Sequence, residues 1–227
     1  MTEQSFIRLH GYAIFPNIFP HHEISEVADV ISQSQLKRSR AGARHILSVP
    51  AVSKVAEDLR LLSIAREVLG QAAIPFRATL FDKSPSSNWL VAWHQDTALP
   101  LVKRIEEPGW GPWSIKEGVS YAHAPSEALE QVLALRVHLD DSESANGPLR
   151  VIPDTHCYGV LSDSEIQKRA STSQDVKCIV ARGGVIAMRP LLIHASSKAE
   201  NHSPRRVLHI ECASRIEISN ERRLTTV

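Results

Sequence analysis

The fold is decided by residues 176–212, VKCIVARGGVIAMRPLLIHASSKAENHSPRRVLHIEC. Three short runs rich in β-branched residues lie in this stretch, at 176–180, 184–188 and 206–212. Turn-forming residues separate them, glycines at 183–184 and Asn-His-Ser-Pro at 201–204. Many short strands with turn chemistry between them are typical of a sandwich or a jelly roll.

The same texture begins after Pro75. Four more runs have strand character, at 76–82, 89–94, 132–139 and 149–152. Residues 97–131 break the pattern with four prolines and three glycines, so we interpret them as a long insertion rather than a strand. Structured insertions of this kind often act as lids or binding loops. The sequence therefore predicts a β-rich core over residues 76–213.

The N-terminal part supplies supporting elements. Residues 6–15 are apolar and predict a short entering strand. Apolar positions recur every three or four residues over 22–31, which predicts an amphipathic helix, and residues 34–48 predict a loop. Ser53 is expected to cap a second helix that stops at Gly70.

Length and composition favour one globular domain. The chain has 227 residues, of which 43% are hydrophobic and 22% charged, and a net charge of +1. These values suit a single domain over 1–227, with an N-terminal part at 1–75 and the core at 76–213. The near-neutral charge gives no indication of nucleic-acid binding. The oligomeric state is left open.

The cysteines and the N-terminus indicate a cytoplasmic protein. Cys157, Cys178 and Cys212 are far apart and form no Cys-x-x-Cys pair, which argues against a disulfide framework and a structural zinc site. The first residues lack the basic start and apolar run of a signal peptide. No window approaches 18 uninterrupted apolar residues, so we expect no membrane span.

The sharpest chemical signal is Trp93-His94-Gln95-Asp96. Residues two apart on an extended strand project from the same face, so His94 and Asp96 can reach one point. His194, at the end of the apolar run that starts at Val185, is the candidate third ligand. Two histidines and one carboxylate suit Fe(II) and leave positions open for a 2-oxo acid and O₂. Taken alone, His-x-Asp is more typical of a surface or hydrogen-bonding pair than of a metal site.

Residues after His194 add weight to the metal hypothesis. Ser196 shares a strand face with it, and Arg205 follows where an antiparallel strand would return. A guanidinium and a hydroxyl can hold the distal carboxylate of 2-oxoglutarate. The neighbouring Arg206 is a rival, because adjacent strand residues face opposite ways; parity favours Arg205.

Four blocks of this sequence, taken in order, resemble the phytanoyl-CoA dioxygenase family. The blocks are 93–96, 146–156, 184–197 and 205–210. Each alone is weak, but four in the family's usual order are specific. The resemblance implies a double-stranded β-helix core of the jelly-roll, cupin-like type with flanking helices. It also implies Fe(II), 2-oxoglutarate, and the release of succinate and CO₂.

Carried over by position, the resemblance implies iron ligands at His94, Asp96 and His194, and a cosubstrate clamp at Arg205 and Ser196. Halogenating relatives have a small residue in place of the carboxylate. Because Asp96 is present here, hydroxylation of a small organic substrate is favoured over halogenation. The substrate itself is not readable.

Three weaker candidates lie near the predicted core strands. Thr79 and Asn88 could bind the cosubstrate; packing, for Thr79, or fixing the turn, for Asn88, explains them as well. Arg136 alternates with apolar residues and could enter the cavity to contact substrate, or belong to the polar outer face of a half-exposed strand.

Trp110, Trp113 and His123 are further substrate candidates within the insertion. Aromatic residues there could form an apolar wall for substrate, and they could equally anchor the insertion to the barrel.

Two other functions compete with an oxygenase. One is a non-catalytic jelly-roll binding module. The other is a cupin-type metalloenzyme that does not use 2-oxoglutarate, which would need neither Ser196 nor Arg205. The presence of the predicted ligands and the clamp together favours the oxygenase, whose partners would be O₂ and a small molecule.

Overall fold

The computed structural model describes residues 2–39, 41–84, 87–219 and 222–227. Within these ranges the helices are α1 Glu3–His10, α2 His21–Gln33, α3 Pro50–Ala56, α4 Leu59–Leu69, α5 Ser126–Leu129 and α6 Asp163–Thr172, with a 3-10 helix at Thr155–Tyr158. The strands of the same ranges are β1 Tyr12–Phe15, β2 Arg38–Ser39, β3 Gly42–Ala43, β4 Ile74–Lys83, β5 Val91–His94, β6 Ala98–Leu101, β7 Trp113–Lys116, β8 Val119–His123, β9 Val132–His138, β10 Leu149–Val151, β11 Val176–Cys178, β12 Val185–Met188, β13 His194–Ser196, β14 Arg205–Ala213, β15 Glu217–Ser219 and β16 Arg222–Arg223.

Two antiparallel sheets build the core. The larger has seven strands in the order β1-β12-β9-β14-β4-β3-β2, and the smaller has four in the order β11-β10-β13-β5. Most neighbours in these orders, such as β1 and β12 or β14 and β4, are distant in sequence, as in a double-stranded β-helix rather than a meander. The mainly β fold class with flanking helices and a jelly-roll core is confirmed. Every run with predicted strand character contains a strand.

Helices cover one face of the larger sheet. Ile24 and Ile31 of α2 are buried in one apolar cluster with Leu135 and Leu208 of the sheet. The cluster takes alternate residues of β4, β9 and β14, because successive strand residues point to opposite faces. The other set of residues on these strands therefore faces the smaller sheet, across the interior of the barrel.

The N-terminal prediction was partly wrong. Residues 6–15 do not form one strand. Thr2 caps helix α1, and Gly11 ends it with a left-handed φ of 80°. Strand β1 follows and pairs with β12. The sequence pattern missed the helix because its apolar residues run directly into those of the strand.

The second predicted helix is in fact two helices. Asp58 caps α4 by accepting a hydrogen bond from the Arg60 backbone N–H. Ser53 caps nothing; its hydroxyl donates to the carbonyl oxygen of Leu47. Gly70 follows the last residue of α4, as predicted. Residues 34–48, predicted as a loop, contain the short hairpin of β2 and β3.

The insertion at 97–131 carries more order than a loop. It forms a three-stranded sheet in the order β6-β8-β7, followed by α5. The prolines and glycines that concealed these strands lie largely between them. This small sheet stands over one end of the barrel interior, since Ala98 of β6 accepts a hydrogen bond from Arg77 of β4.

Among the described residues, no helix has both the length and the apolar character needed to cross a bilayer.

Candidate metal centre and adjoining cavity

The three predicted ligands converge at the end of the smaller sheet. Strands β5 and β13 pair with His94 directly opposite His194. The Nε2 atom of His94 lies 3.6 Å from Asp96 Oδ1, and Nε2 of His194 lies 3.4 Å from Asp96 Oδ2. One donor atom from each residue falls within 4.8 Å of the others. This spacing allows a single cation to be bound by all three.

Both imidazoles are oriented for metal binding by backbone carbonyls. His94 Nδ1 is 2.8 Å from the carbonyl oxygen of Ala92, and His194 Nδ1 is 2.9 Å from that of Leu192. A proton held on Nδ1 leaves the Nε2 lone pair free, which is how metal-binding histidines are usually fixed. The residues present therefore fit a divalent metal of the Fe(II) type.

Asp96 is positioned by the chain around it rather than by strand parity. Strand β5 ends at His94, so the expectation that both residues project from one strand was wrong. The Asp96 N–H donates to the Pro190 carbonyl oxygen. Between the two ligands, the buried Gln95 amide donates to the carbonyls of Gly159 and Leu191. Gln95 also accepts from the Leu161 N–H.

The electrostatics of Asp96 and His194 favour their metal-binding forms. Burial alone would lower the pKa of His94, but its hydrogen bond to Asp96 and the charge of that carboxylate raise it. Burial alone would raise the pKa of Asp96, but His194 and His94 beside it hold that pKa well below its usual range. Burial lowers the pKa of His194 to about 4, despite the neighbouring Asp96 carboxylate. A carboxylate and a neutral imidazole are the forms that coordinate metal.

Ser196 and Arg205 lie together, as the spacing predicted, and a third residue joins them. The Ser196 hydroxyl accepts from Arg205 Nη2 at 3.3 Å and from Lys83 Nζ at 2.9 Å, and donates to the Gly147 carbonyl. Arg205 Nε donates to the Asn146 carbonyl. All three side chains are buried. Two cationic side chains, Lys83 and Arg205, therefore donate hydrogen bonds to the same hydroxyl.

The Asn146-Gly147-Pro148 turn forms the floor of this cluster. Gly147 has a left-handed φ of 70°, and a Cβ atom placed there would come within 2.9 Å of Lys83 Nζ. Only glycine allows the backbone to approach so closely.

Lys83 was missed in the sequence. It stands at the end of β4, where a lysine is usually a solvated strand end. Strand parity could have indicated it, because Lys83 lies on the same face of β4 as Thr79 and Phe81. Its partner became visible only in the register of the sheet, which places it directly opposite Arg205.

Arg206 lies on the opposite face from this cluster. Its guanidinium makes a two-point ion pair with Asp140 and donates to Ser32 of α2. The Arg206 side chain therefore attaches helix α2 to the larger sheet.

A cavity of about 100 Å³ joins the metal ligands to the cation cluster. Its walls are Phe81, Trp89, Val91, His94, Asp96, Arg136, Leu149, His194, Ser196 and Arg205. The cavity therefore has apolar sides, and it reaches both the metal ligands and the buried charge of Arg205. A larger cavity of about 310 Å³, lined in part by His156 and Arg189, contains none of the three ligands.

Arg136 enters this cavity rather than an outer face. It is buried, its Nη1 lies 3.1 Å from His209 Nδ1, and its Nε has no hydrogen-bond partner among the described atoms. The same is true of both ring nitrogens of the neighbouring His138. Burial, with Arg136 and Arg205 nearby, holds the pKa of His138 well below its usual value, so that ring is neutral.

Thr79 and Asn88 do not line the cavity. Thr79 is half-buried opposite His209. The Asn88 amide donates to the Ala199 carbonyl and accepts from the Ala199 N–H, so it fixes the segment after Ser196. The alternative for Asn88, fixing the turn after Ser84-Pro85, concerns residues 85–86 outside the described ranges and stays a prediction.

The insertion candidates also lie outside the cavity. Trp110 and Trp113 pack against an apolar cluster beneath the small sheet, and Arg222 covers the Trp110 ring at 4.5 Å. His123 Nδ1 lies 2.6 Å from the Thr97 hydroxyl. These contacts match the anchoring alternative rather than a substrate wall.

The fold and the site together define a class of protein: a double-stranded β-helix with two histidines and one carboxylate at a candidate metal site. A model of the family described as Phytanoyl-CoA dioxygenase (PhyH) matches residues 7–207. The chain belongs to this family, and the predicted resemblance is confirmed.

Solved structures share the fold. AviO1 from Streptomyces viridochromogenes Tue57 has 22% identity and a TM-score of 0.67, covering 93% of each chain. EctD from S. alaskensis, with 2-oxoglutarate and 5-hydroxyectoine, has 19% identity and a TM-score of 0.70, covering 92% of this chain and 74% of that one. HygX from Streptomyces hygroscopicus, with nickel and 2-oxoglutarate bound, has 15% identity and a TM-score of 0.67, with coverages of 94% and 87%. No curated protein matches the chain.

Proposed function

We propose that this protein is an Fe(II)- and 2-oxoglutarate-dependent dioxygenase that hydroxylates a small organic substrate and releases succinate and CO₂. His94, Asp96 and His194 would hold the iron. Ser196, Arg205 and Lys83 would hold the distal carboxylate of 2-oxoglutarate. The iron would supply the site where the cosubstrate and O₂ react.

The observation that carries the proposal is the unneutralised charge of Lys83 and Arg205. Neither forms an ion pair with a carboxylate in the described part of the chain, although both are buried. A buried charge without a partner is costly, so such charge is usually met by a ligand of opposite sign. A dicarboxylate can present one carboxylate to these cations while its other end reaches the metal ligands along the same cavity.

The protonation states of the two cations support this role. Burial, together with the nearby Arg136, lowers the pKa of Arg205 to about 9, which leaves the guanidinium charged at neutral pH. Burial, together with Arg205, lowers the pKa of Lys83 to about 7. A dianionic ligand would favour the charged form of the lysine and so strengthen its own binding.

The other residues of the site exclude water from the cavity and hold Asp96 in position. Phe81, Val91 and Leu149 give the cavity apolar sides, which strengthens the ionic contacts at its end. Gln95 and Pro190 fix the backbone on which Asp96 stands. Preorganisation of this kind lets the metal site keep its geometry before any ligand arrives.

The direct test is uncoupled turnover. The purified protein, loaded anaerobically with Fe(II), should convert 2-oxoglutarate to succinate on exposure to O₂ in the absence of added substrate. A visible charge-transfer band on adding 2-oxoglutarate to the Fe(II) protein should precede it. If metal binds but 2-oxoglutarate neither gives the band nor is consumed, the cupin-type alternative is favoured. If no metal binds, the non-catalytic module is.

A further inference from the structure

The barrel interior has a second end, which lies away from Ser196, Arg205 and Lys83. Four pairs of residues face each other across β4 and β14 inside the barrel: Lys83–Arg205, Phe81–Val207, Thr79–His209 and Arg77–Glu211. The metal ligands lie beside the third pair, since the Asp96 and His194 charges both act on the pKa of His209. The fourth pair therefore stands on the side of the metal opposite the clamp.

The small sheet of the insertion closes this far end. Tyr121 of β8 is buried with Arg77 5.5 Å from its ring, and its hydroxyl lies 2.8 Å from His45 Nε2. Strand β7 pairs with β8 so that Ser114 stands opposite Tyr121. Lys116, two residues further along, therefore shares the barrel-facing side of the sheet. Its Nζ lies 4.7 Å from the Tyr121 ring centroid.

Charge is unbalanced at this end. Arg77 pairs with Glu211, so the largely buried guanidinium and the buried carboxylate neutralise each other. Lys116 has no carboxylate within ion-pair distance in the described chain. Burial and the repulsion of Arg77 and Arg44 lower the pKa of Lys116, and the Asp96 and Glu211 carboxylates act on it in the opposite sense.

No acidic residue around Lys116 in the described chain pairs with it directly. Arg44 and His45 are further titratable neighbours of Tyr121. Burial lowers the pKa of His45 although the Glu117 carboxylate opposes this, which leaves a neutral ring. Glu117, the next residue after Lys116, is exposed and has a left-handed φ of 50°, in the turn that leads to β8. Binding of a divalent metal would offset the Asp96 charge and leave the end more positive still.

We propose that the substrate carries an oxyanion, a carboxylate or a phosphate, which binds the Lys116 ammonium beside the Arg77–Tyr121 contact. This inference rests on the proposed function and specifies its substrate class. The oxyanion would be held by the small sheet, and the carbon to be oxidised would lie between that sheet and the metal. Lys116 would thereby act as a specificity-determining residue that touches substrate.

The test is a screen of matched compounds with the Fe(II)-loaded full chain. Each pair contrasts an acid with its primary amide, or a phosphate monoester with its parent alcohol, and the readout is succinate release above the uncoupled background. Only the anionic member of a pair should stimulate release. Lys116→Met should raise the KM for that member by roughly tenfold or more, through loss of a charged contact, while the effect on the KM for 2-oxoglutarate stays smaller. Lys116→Arg should restore much of the affinity.

A matched control is Lys103→Met, which alters an exposed lysine of the same insertion. It should leave every kinetic constant unchanged. Stimulation by the neutral members as strong as by the acids would overturn the inference, as would an unchanged KM in Lys116→Met.

A second measurement does not need a substrate. Reductive methylation of the Fe(II)- and 2-oxoglutarate-loaded protein under anaerobic conditions is followed by peptide mass spectrometry. Benzoate or inorganic phosphate should slow methylation of Lys116 relative to Lys103, and benzamide should not. If no acid stimulates and neither anion protects Lys116, the inference fails. Loss of the proposed function would instead appear as absent uncoupled turnover, irrespective of Lys116 protection.

Discussion

Strands β4 and β14 carry two opposed charged pairs, one near each end of the barrel, and the two pairs are built on contrary principles. At one end Lys83 faces Arg205, two cations directly opposite. At the other, Arg77 faces Glu211 and forms an ion pair. Like charges directly opposite on a sheet are destabilising, whereas opposite charges stabilise it. The first pair lacks a counter-charge and therefore favours the binding of an anion, whereas the second already contains its counter-charge.

One sheet thus holds both the pair that we propose binds the cosubstrate and a pair that needs no ligand. The same strands, the same register and similar burial hold both pairs. What distinguishes them is whether the protein supplies the counter-charge. Unbalanced charge in a buried site is thus a better guide to ligand binding than the presence of charged residues as such.

The largest effect should come from the residue that lies between the two ends. His194→Ala should reduce iron content and uncoupled succinate formation by at least roughly 100-fold, because a ligand must matter more than the partners that orient it. Metal analysis and succinate assay measure this. His123→Ala, which alters a histidine outside the cavity, is the control. Retention of iron and turnover by His194→Ala would contradict the metal assignment.

The paired end should respond through stability. Arg77→Met leaves Glu211 buried without its partner and should lower the free energy of unfolding by roughly 3–5 kcal/mol. The double variant Arg77→Met/Glu211→Leu should recover most of that loss. Denaturant unfolding of the metal-free protein measures both. At the opposite end Lys83→Met removes a repulsion and should not destabilise the metal-free protein; a loss as large as that of Arg77→Met would break the comparison.

The unpaired end should respond through affinity. Arg205→Ala should raise the KM for 2-oxoglutarate by roughly 10- to 100-fold, corresponding to about 1.5–3 kcal/mol for a hydrogen bond to a charged group. Steady-state kinetics with varied 2-oxoglutarate provide the measurement. Arg206→Ala, one residue along on the outer face, should leave this KM unchanged. An equal effect of the two variants would show that Arg205 acts only through the fold.

The smallest effect is a pH dependence. Lys83 has its pKa lowered to about 7, so it is charged below that pH and loses its proton above it. A dianion binds the charged form better, so the KM for 2-oxoglutarate should rise as the pH increases from about 6 to 8.5, by about tenfold at most. Lys83→Arg, which stays charged, should flatten the profile. An unchanged slope in Lys83→Arg would assign the titration to another group.

Sequence reasoning located the parts of the candidate site that depend on local spacing. The His94-x-Asp96 pair, His194 with Ser196, and the parity that sets Arg205 inward and Arg206 outward all follow from residues close together in the chain. These side chains do meet at one cavity. The phytanoyl-CoA dioxygenase resemblance and the jelly-roll core were likewise predictable, because turn chemistry and strand composition repeat along the whole core.

What the sequence could not provide was long-range register. Lys83 meets Arg205 and Ser196 only because β4 pairs with β14. Tyr121 and Lys116 face the barrel only because the insertion folds into a sheet, which its prolines and glycines concealed. The N-terminal helix α1 was not predicted, because its apolar residues continue without a break into β1.

The Gln95 side chain has a consequence for motion. A single amide ties together the segment around Gly159 and Leu161, the turn at Leu191, and the ligand loop that it belongs to. The hydrogen bonds of one side chain therefore couple three stretches that are far apart in sequence. A displacement of the 159–161 segment would be transmitted through Gln95 and would change the orientation of the Asp96 carboxylate.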